Sequence, residues 1–188
     1  MTVGTKFYLL IPPEKASKFL KDRSEINEIE RLTRTKISIE EGGRVVIEPT
    51  EETTPIEIMK ARDVISALSL GFELEDALSL LSDEMVMEVV DVRDYMLDHK
   101  NEKELRRILG RIIGKKGKAK RNLEKISGTK ISISEGKVAI IGDYESVEAV
   151  KEAVMSLMEG LMHGTVYHKL EMKMRSIKSR HRLEYWKE

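Results

Sequence analysis

No cysteine occurs among the 188 residues, which excludes disulfides, thiolate metal sites and cysteine nucleophiles. No apolar run reaches the length of a membrane span, and no charged-then-apolar signal segment opens the chain. The expectation is a soluble, cytoplasmic protein. His163, His168 and His181 form no recognised ligand set with carboxylates. No Ser/His/Asp set or paired carboxylates stand in a pocket-forming context, so no metal, cofactor or catalytic activity is expected. Aromatic residues make up only 5% of the chain, which leaves little material for ring stacking. An excess of either charge is also missing, with 33 Lys and Arg against 33 Asp and Glu.

That balance is global, not local. Residues 1–94 carry 12 Lys and Arg against 20 Asp and Glu, whereas residues 95–188 carry 21 against 13. The asymmetry points to an anionic partner for the second half, the plain alternative being charged faces that are merely solvated. Apolar residues reach 40%, enough for packed cores, and the length suits one large domain or two small ones.

An internal repeat divides the chain. Residues 30–39 read ERLTRTKISI and residues 124–133 read EKISGTKISI. At this offset Glu30, Thr35, Lys36, Ile37, Ser38 and Ile39 recur as Glu124, Thr129, Lys130, Ile131, Ser132 and Ile133. EEGGRVVI (40–47) then answers SEGKVAI (134–140), and an amphipathic helical stretch follows each. Apolar periodicity predicts the same order of elements twice. In the first copy these are a strand at 7–11, helices at 14–20 and 24–33, strands around 37–39 and 45–47, and a helix over 55–69. In the second they are a strand near 86–92, helices near 103–113 and 117–127, strands at 130–134 and 137–141, and a helix at 144–160. Residues 74–81 predict a short joining helix. Each copy is then an α+β sandwich, β-α-α-β-β-α, with helices on one face of a three-stranded antiparallel sheet.

Between the paired helices of the second copy lies Gly110-Arg111-Ile112-Ile113-Gly114-Lys115-Lys116-Gly117-Lys118. Glycines permit turns barred to other residues and let a backbone approach closely. The following helix offers unpaired N–H groups and a partial positive charge. Lys115, Lys116 and Lys118 add full charges, so the segment reads as an anion cradle. A nucleotide-binding P-loop does not fit: Gly110 and Gly114 are one residue too close, and Lys116 stands where the magnesium-binding hydroxyl belongs. A glycine-softened turn with solvated lysines is the bland alternative.

The third reading is the GXXG loop of a K-homology (KH) domain, which clamps the backbone of about four single-stranded nucleotides. The setting supplies its specificity. In IIGKKGKAKRNLEKISGTKISI, apolar residues precede the first glycine, Leu123 and Ile126 follow at helical spacing, and Gly128 stops the helix before a strand. The segment resembles the KH signature closely, with Lys120 standing where KH domains usually carry isoleucine. The candidate RNA-binding residues are Gly114, Lys115, Lys116, Gly117 and Lys118 in the loop. Arg107, Arg111, Lys120, Arg121 and Lys130, together with Arg106, are candidates for a phosphate-tracking rim. Ile112, Ile113, Ile131 and Ile133 divide between core and an apolar floor for bases. The sequence leaves that division open, and Ile113 and Ile131 stand as the floor candidates. With few rings nearby, base reading is expected to rest on edges and apolar contact.

The first copy has Leu20-Lys21-Asp22-Arg23 at the equivalent place. No glycine remains, Leu20 obstructs close approach, and Asp22 repels phosphate. Glu40, Glu41, Glu48, Glu51 and Glu52 make its surroundings acidic, which fits a protein-facing or spacing role. After the last repeat helix, residues 163–188 place Val166, Leu170, Met174 and Ile177 on one helical stripe beside Lys169, Lys173, Arg175, Lys178, Arg180 and Arg182. The alternatives are a helix packed on the body, a basic arm that extends the RNA surface, or a docking helix ending in Tyr185-Trp186.

Over its whole length, and most strongly over 105–178, the chain resembles one KH family on four features. These are the degenerate first unit, the GRIIGKKGKAKRNLEKISGTKISI core, the AIIGD turn (139–143) and the HGTVYHKLEMKMR tail. The family is the archaeal counterpart of the KH-domain factor that partners the endonuclease trimming the 3′ end of small-subunit ribosomal RNA. The resemblance implies two tandem type I KH domains plus a C-terminal helix. A degenerate domain would span 1–82, a domain with the GXXG loop 83–162, and a basic tail 163–188. It further implies a non-enzymatic assembly factor that binds single-stranded RNA near the 3′ end of small-subunit rRNA. Its implied partners are that endonuclease and the alpha subunit of translation initiation factor two. The competing expectation is a protein-interaction scaffold in which RNA binding is secondary.

Overall fold

The structure, a computed structural model, describes residues 6–185, with side chains through residue 182. The chain divides between Asp83 and Glu84 into two compact units. Trp186 and the side chain of Tyr185 lie outside the described residues.

In the first unit β1 (Phe7–Leu10) leads into α1 (Pro13–Lys21), α2 (Ser24–Thr33), β2 (Thr35–Ile39), β3 (Arg44–Pro49) and α3 (Pro55–Ser69), followed by α4 (Leu74–Leu78). The sheet order is β1-β3-β2, with both neighbours antiparallel to β3 and Phe7 and Ile37 both paired to Ile47. Alternation sets the strands: in β2, Thr35, Ile37 and Ile39 are buried while Lys36 and Ser38 are exposed. Helix α3 starts where Thr54 and Glu57 form a reciprocal capping box around Pro55.

The second unit repeats the plan with β4 (Met85–Asp91), α5 (Glu102–Ile113), α6 (Lys118–Ser127), β5 (Lys130–Ser134), β6 (Lys137–Asp143) and α7 (Tyr144–Met158). Its sheet is again antiparallel, in the order β4-β6-β5. The molecule is therefore a mixed α+β fold with two three-stranded antiparallel sheets. Asn101 caps α5 and Asp143 caps α7, each accepting a hydrogen bond from the amide three residues on.

The repeat extends to individual hydrogen bonds. The Ile37 amide donates to the Glu30 carboxylate (2.6 Å), and the Ile131 amide donates to Glu124 (2.9 Å). The Thr33 hydroxyl donates back to the Ile29 carbonyl (2.7 Å) and meets Thr35 (2.8 Å). Ser127 does the same with Leu123 and Thr129, both at 2.8 Å. A helix is thus bolted twice to the strand that follows it.

Helix α8 (His163–Tyr185) belongs to the second unit, where it packs on α7 and α6. Val166, Leu170, Met174 and Ile177 are buried in the same core as Ile112, Leu123, Ile140 and Leu157. Each such side chain contributes about 1.5–3 kcal/mol of apolar burial. Among the described residues no helix is long and apolar enough to cross a membrane.

Candidate nucleic-acid interface

Helix α5 ends because Gly114 takes φ 72° and ψ 173°, a region open in practice only to glycine. A Cβ built there would lie 2.6 Å from the Ala119 Cβ and 2.7 Å from the Ala119 amide nitrogen. The missing side chain therefore lets the end of α5 close onto the start of α6. Lys116 (φ 53°, ψ 33°) and Gly117 (φ 75°, ψ 13°) both adopt the left-handed conformation. The Gly117 amide turns back to the Gly114 carbonyl at 3.1 Å. Among the described residues no side chain caps α6, so its first-turn amides have no side-chain acceptor.

Lys115, Lys116, Lys118 and Arg121 are exposed around this turn, and Gly114 and Gly117 are half-buried. None of these four cations has an ion-pair partner among the described residues. Arg106 and Arg107 are exposed on α5, with Arg107 3.7 Å from Glu104. Lys120 is half-buried and lies 3.6 Å from Glu124, and Lys130 is exposed at the start of β5. Of these cations Lys115 and Lys118 line the hollow at the turn itself, while Arg106, Arg107 and Lys130 lie further along α5 and β5.

The equivalent connection in the first unit is built differently. Leu20 and Lys21 stay helical in α1, so only Asp22 and Arg23 separate the two helices. The Asp22 carboxylate accepts a hydrogen bond from the Ser24 amide at 2.9 Å. Arg23 is tied down as well, donating to the Ile37 carbonyl at 3.1 Å and pairing with Glu30 at 3.4 Å.

A family model described as a eukaryotic-type (type I) KH domain, drawn for the second KH domain of PNO1, matches residues 86–175. A KH domain-containing protein of Methanocaldococcus jannaschii is 38% identical over 181 residues, covering 95% of this chain and 78% of that protein. The chain belongs to the PNO1/Dim2-like family of KH-domain pre-rRNA-processing proteins. Among PNO1 members, the pre-rRNA-processing protein of Eremothecium gossypii is 35% identical over 134 residues, 71% of this chain and 49% of that protein. The chain thus spans about half the length of this PNO1 relative. A chain of the a/eIF2alpha–aDim2p–rRNA complex of Pyrococcus horikoshii superposes with a TM-score of 0.84 at 34% identity, covering 93% of this chain and 97% of that one.

Within this PNO1/Dim2-like chain two of the candidate site residues require correction. Ile131 is 2% exposed in the core, because β5 turns that side chain to the helices. Of the floor candidates Ile113 is exposed and Ile133 half-buried, while Ile112 is fully buried. Arg111 is not a free rim cation. Its Nε donates to the Leu157 carbonyl (3.0 Å) and its Nη2 to the Leu161 carbonyl (2.7 Å), satisfying carbonyls at and beyond the end of α7. The His163 Nε2–H in turn donates to the Arg111 carbonyl at 2.8 Å. Residues that the sequence did not single out are Asn122 and Tyr167, which line a hollow beside the loop with Gly114, Lys115 and Lys118. Their spacing carries no signal, since α6 and α8 meet only in the folded unit.

Proposed function

We propose that this chain is a non-catalytic single-stranded RNA-binding protein of small-subunit ribosome assembly, which grips RNA near the 3′ end of small-subunit rRNA through its second unit. The observation that carries the reading is the Gly114–Gly117 turn: exposed, glycine-formed, flanked by unpaired lysines and followed by an uncapped helix. Such a turn presents amide and ammonium donors to a ribose-phosphate strand without side chains in the way. Gly114, Lys115, Lys116, Gly117 and Lys118 clamp the backbone, Arg107, Lys120, Arg121 and Lys130 track adjoining phosphates, and Ile113 faces bases. Membership of a pre-rRNA-processing family supports the setting, as does the likeness to a chain from an aDim2p complex that contains rRNA.

The first unit (1–82) is read as a degenerate type I KH domain, followed by the domain with the GXXG loop (83–162) and the helical tail (163–188). Its support is the repeated strand order and the repeated hydrogen bonds between helix and strand. With Asp22 on the α2 amide and an acidic surround, this unit suits a protein partner. The alpha subunit of translation initiation factor two is the candidate, since a/eIF2alpha accompanies aDim2p and rRNA in the P. horikoshii complex. An rRNA-trimming endonuclease is a further candidate partner.

The test replaces Lys115 and Lys116 by Asp in the full chain and measures binding to single-stranded RNA from the 3′ region of small-subunit rRNA. Affinity is expected to vanish while the circular dichroism spectrum and melting temperature persist. Wild-type affinity should fall by about 0.7 log units per neutralised phosphate for each tenfold rise in salt. Unchanged affinity in the double variant would place the grip elsewhere.

A further inference from the structure

Helix α8 sorts its cations by face. Towards α7 two are paired: Lys173 reaches Glu152 at 2.6 Å and Arg180 reaches Glu145 at 2.8 Å. The His181 ring also meets the Glu145 carboxylate at 2.7 Å, while Lys169 lines the same side without an ion pair among the described residues. Towards α6 the pattern reverses. Arg175 and Lys178 line a groove of about 440 Å³ whose opposite wall holds Asn122, Lys125 and Ile126. Among the described residues neither Arg175 nor Lys178 nor Lys125 has an ion-pair partner. Glu171 is the one carboxylate lining the groove, and it forms no ion pair with them. Cations gathered on two facing helices repel one another, and an anionic occupant relieves the repulsion.

The groove runs into the loop. The hollow beside Gly114, of about 280 Å³, is lined by Lys115 and Lys118 and shares Asn122 and Tyr167 with the groove. Tyr167 is half-buried at the junction, its ring inclined at 57° to that of His163 with centroids 6.0 Å apart. The two hollows thus adjoin at Asn122 and Tyr167, so a polyanion held at the loop has the α6–α8 groove as its neighbour.

We infer that the α6–α8 groove is a second RNA subsite that takes the next stretch of the strand held by the loop. This inference rests on the RNA-binding reading above. Phosphates lie against Lys125, Arg175 and Lys178, and a base stacks on the Tyr167 ring, the sequence-tolerant contact that aromatic side chains offer single strands. Asn122 and Glu171 face the same space with groups able to bond base edges. A strand is favoured over an acidic peptide because loop and groove adjoin at Asn122 and Tyr167, so that a single polyanion can cover both.

The experiment compares a tetranucleotide with a decanucleotide, since a GXXG loop alone clamps about four nucleotides. Binding of full-length wild type and of the triple variant Lys125→Ala, Arg175→Ala, Lys178→Ala is followed by fluorescence anisotropy. The substitutions sit at helical positions that favour alanine, and thermal melting confirms that they leave the fold intact. The wild type is expected to bind the decanucleotide more tightly. The triple variant should lose about tenfold or more in decanucleotide affinity and about 2 in salt slope, at roughly 0.7 per phosphate, with tetranucleotide binding unchanged. Equal decanucleotide affinity in variant and wild type overturns the inference, as does equal loss for both RNAs. A variant that loses only a poly-glutamate peptide assigns the groove to protein and overturns it too. If the Lys115→Asp, Lys116→Asp protein binds as wild type while the triple variant loses only decanucleotide affinity, the loop reading fails and the groove alone holds RNA.

Discussion

Asp22 accepts a hydrogen bond from the backbone amide of Ser24 at 2.9 Å, so α2 carries its own anion at a helix end that α6 leaves open. The bond from the Ser24 amide, with a smaller contribution from the Lys18 charge, holds the Asp22 carboxyl below the usual carboxylate range. A carboxyl whose folded value is depressed stabilises the fold above its unfolded value of about 3.9, and that stabilisation is lost as pH falls through the lower folded value. Asp22→Ala should therefore lower the melting temperature at neutral pH. The gap from wild type should close as pH falls below about 3.9; a pH-independent gap would show that the ionised carboxylate is not what stabilises the turn.

The two loop glycines should not be equivalent. At Gly114 a side chain meets both a Gly-only backbone conformation and the Ala119 backbone, whereas at Gly117 it meets only the flexible end of Arg121 at 3.1 Å. Gly114→Ala should cost on the order of 3 kcal/mol or more, and Gly117→Ala about 1–2 kcal/mol. Chemical denaturation of the two variants gives the comparison, and equal costs would contradict the close packing at Gly114.

Arg111 should behave as a structural tie. Arg111→Ala removes two hydrogen bonds from a charged donor to carbonyls at and beyond the end of α7, each worth about 1.5–3 kcal/mol. Arg111→Lys should rescue little, because one ammonium cannot reproduce the guanidinium fork. A large fall in RNA affinity with no loss of stability would return Arg111 to the phosphate rim.

Ile113 and Ile131 should separate binding from stability. Ile131→Ala opens a cavity in the core and should cost about 2–5 kcal/mol. Ile113 is 37% exposed, so Ile113→Ala should cost about 1 kcal/mol or less yet weaken RNA binding. Paired denaturation and anisotropy measurements check both, and unchanged RNA affinity in Ile113→Ala would show that this residue does not face bases.

Much of this was legible in the chain because the signals are local. Helix α3 begins at Pro55 after Thr54 and stops at Ser69, as its apolar periodicity implies. The Gly114–Gly117 turn was legible because glycines at both of its ends admit positive-φ backbone. Ile131 was not: alternation shows that Ile131 and Ile133 share one face of β5, but not how deeply packing against the helices buries each. Arg111 was illegible for the same reason, since its carbonyl partners lie 46 and 50 residues further along the chain.

Periodicity and backbone stereochemistry, which act within a few residues, were enough to specify the strands, the helices and the glycine turn. Which cations find a counterion depends on what folding brings alongside them. Lys173 faces Glu152 while Arg175, two residues on, faces the groove beside Lys125. Charge pairing acts through space over a few ångströms, so the difference between Lys173 and Arg175 exists only once α6 and α7 have closed around α8.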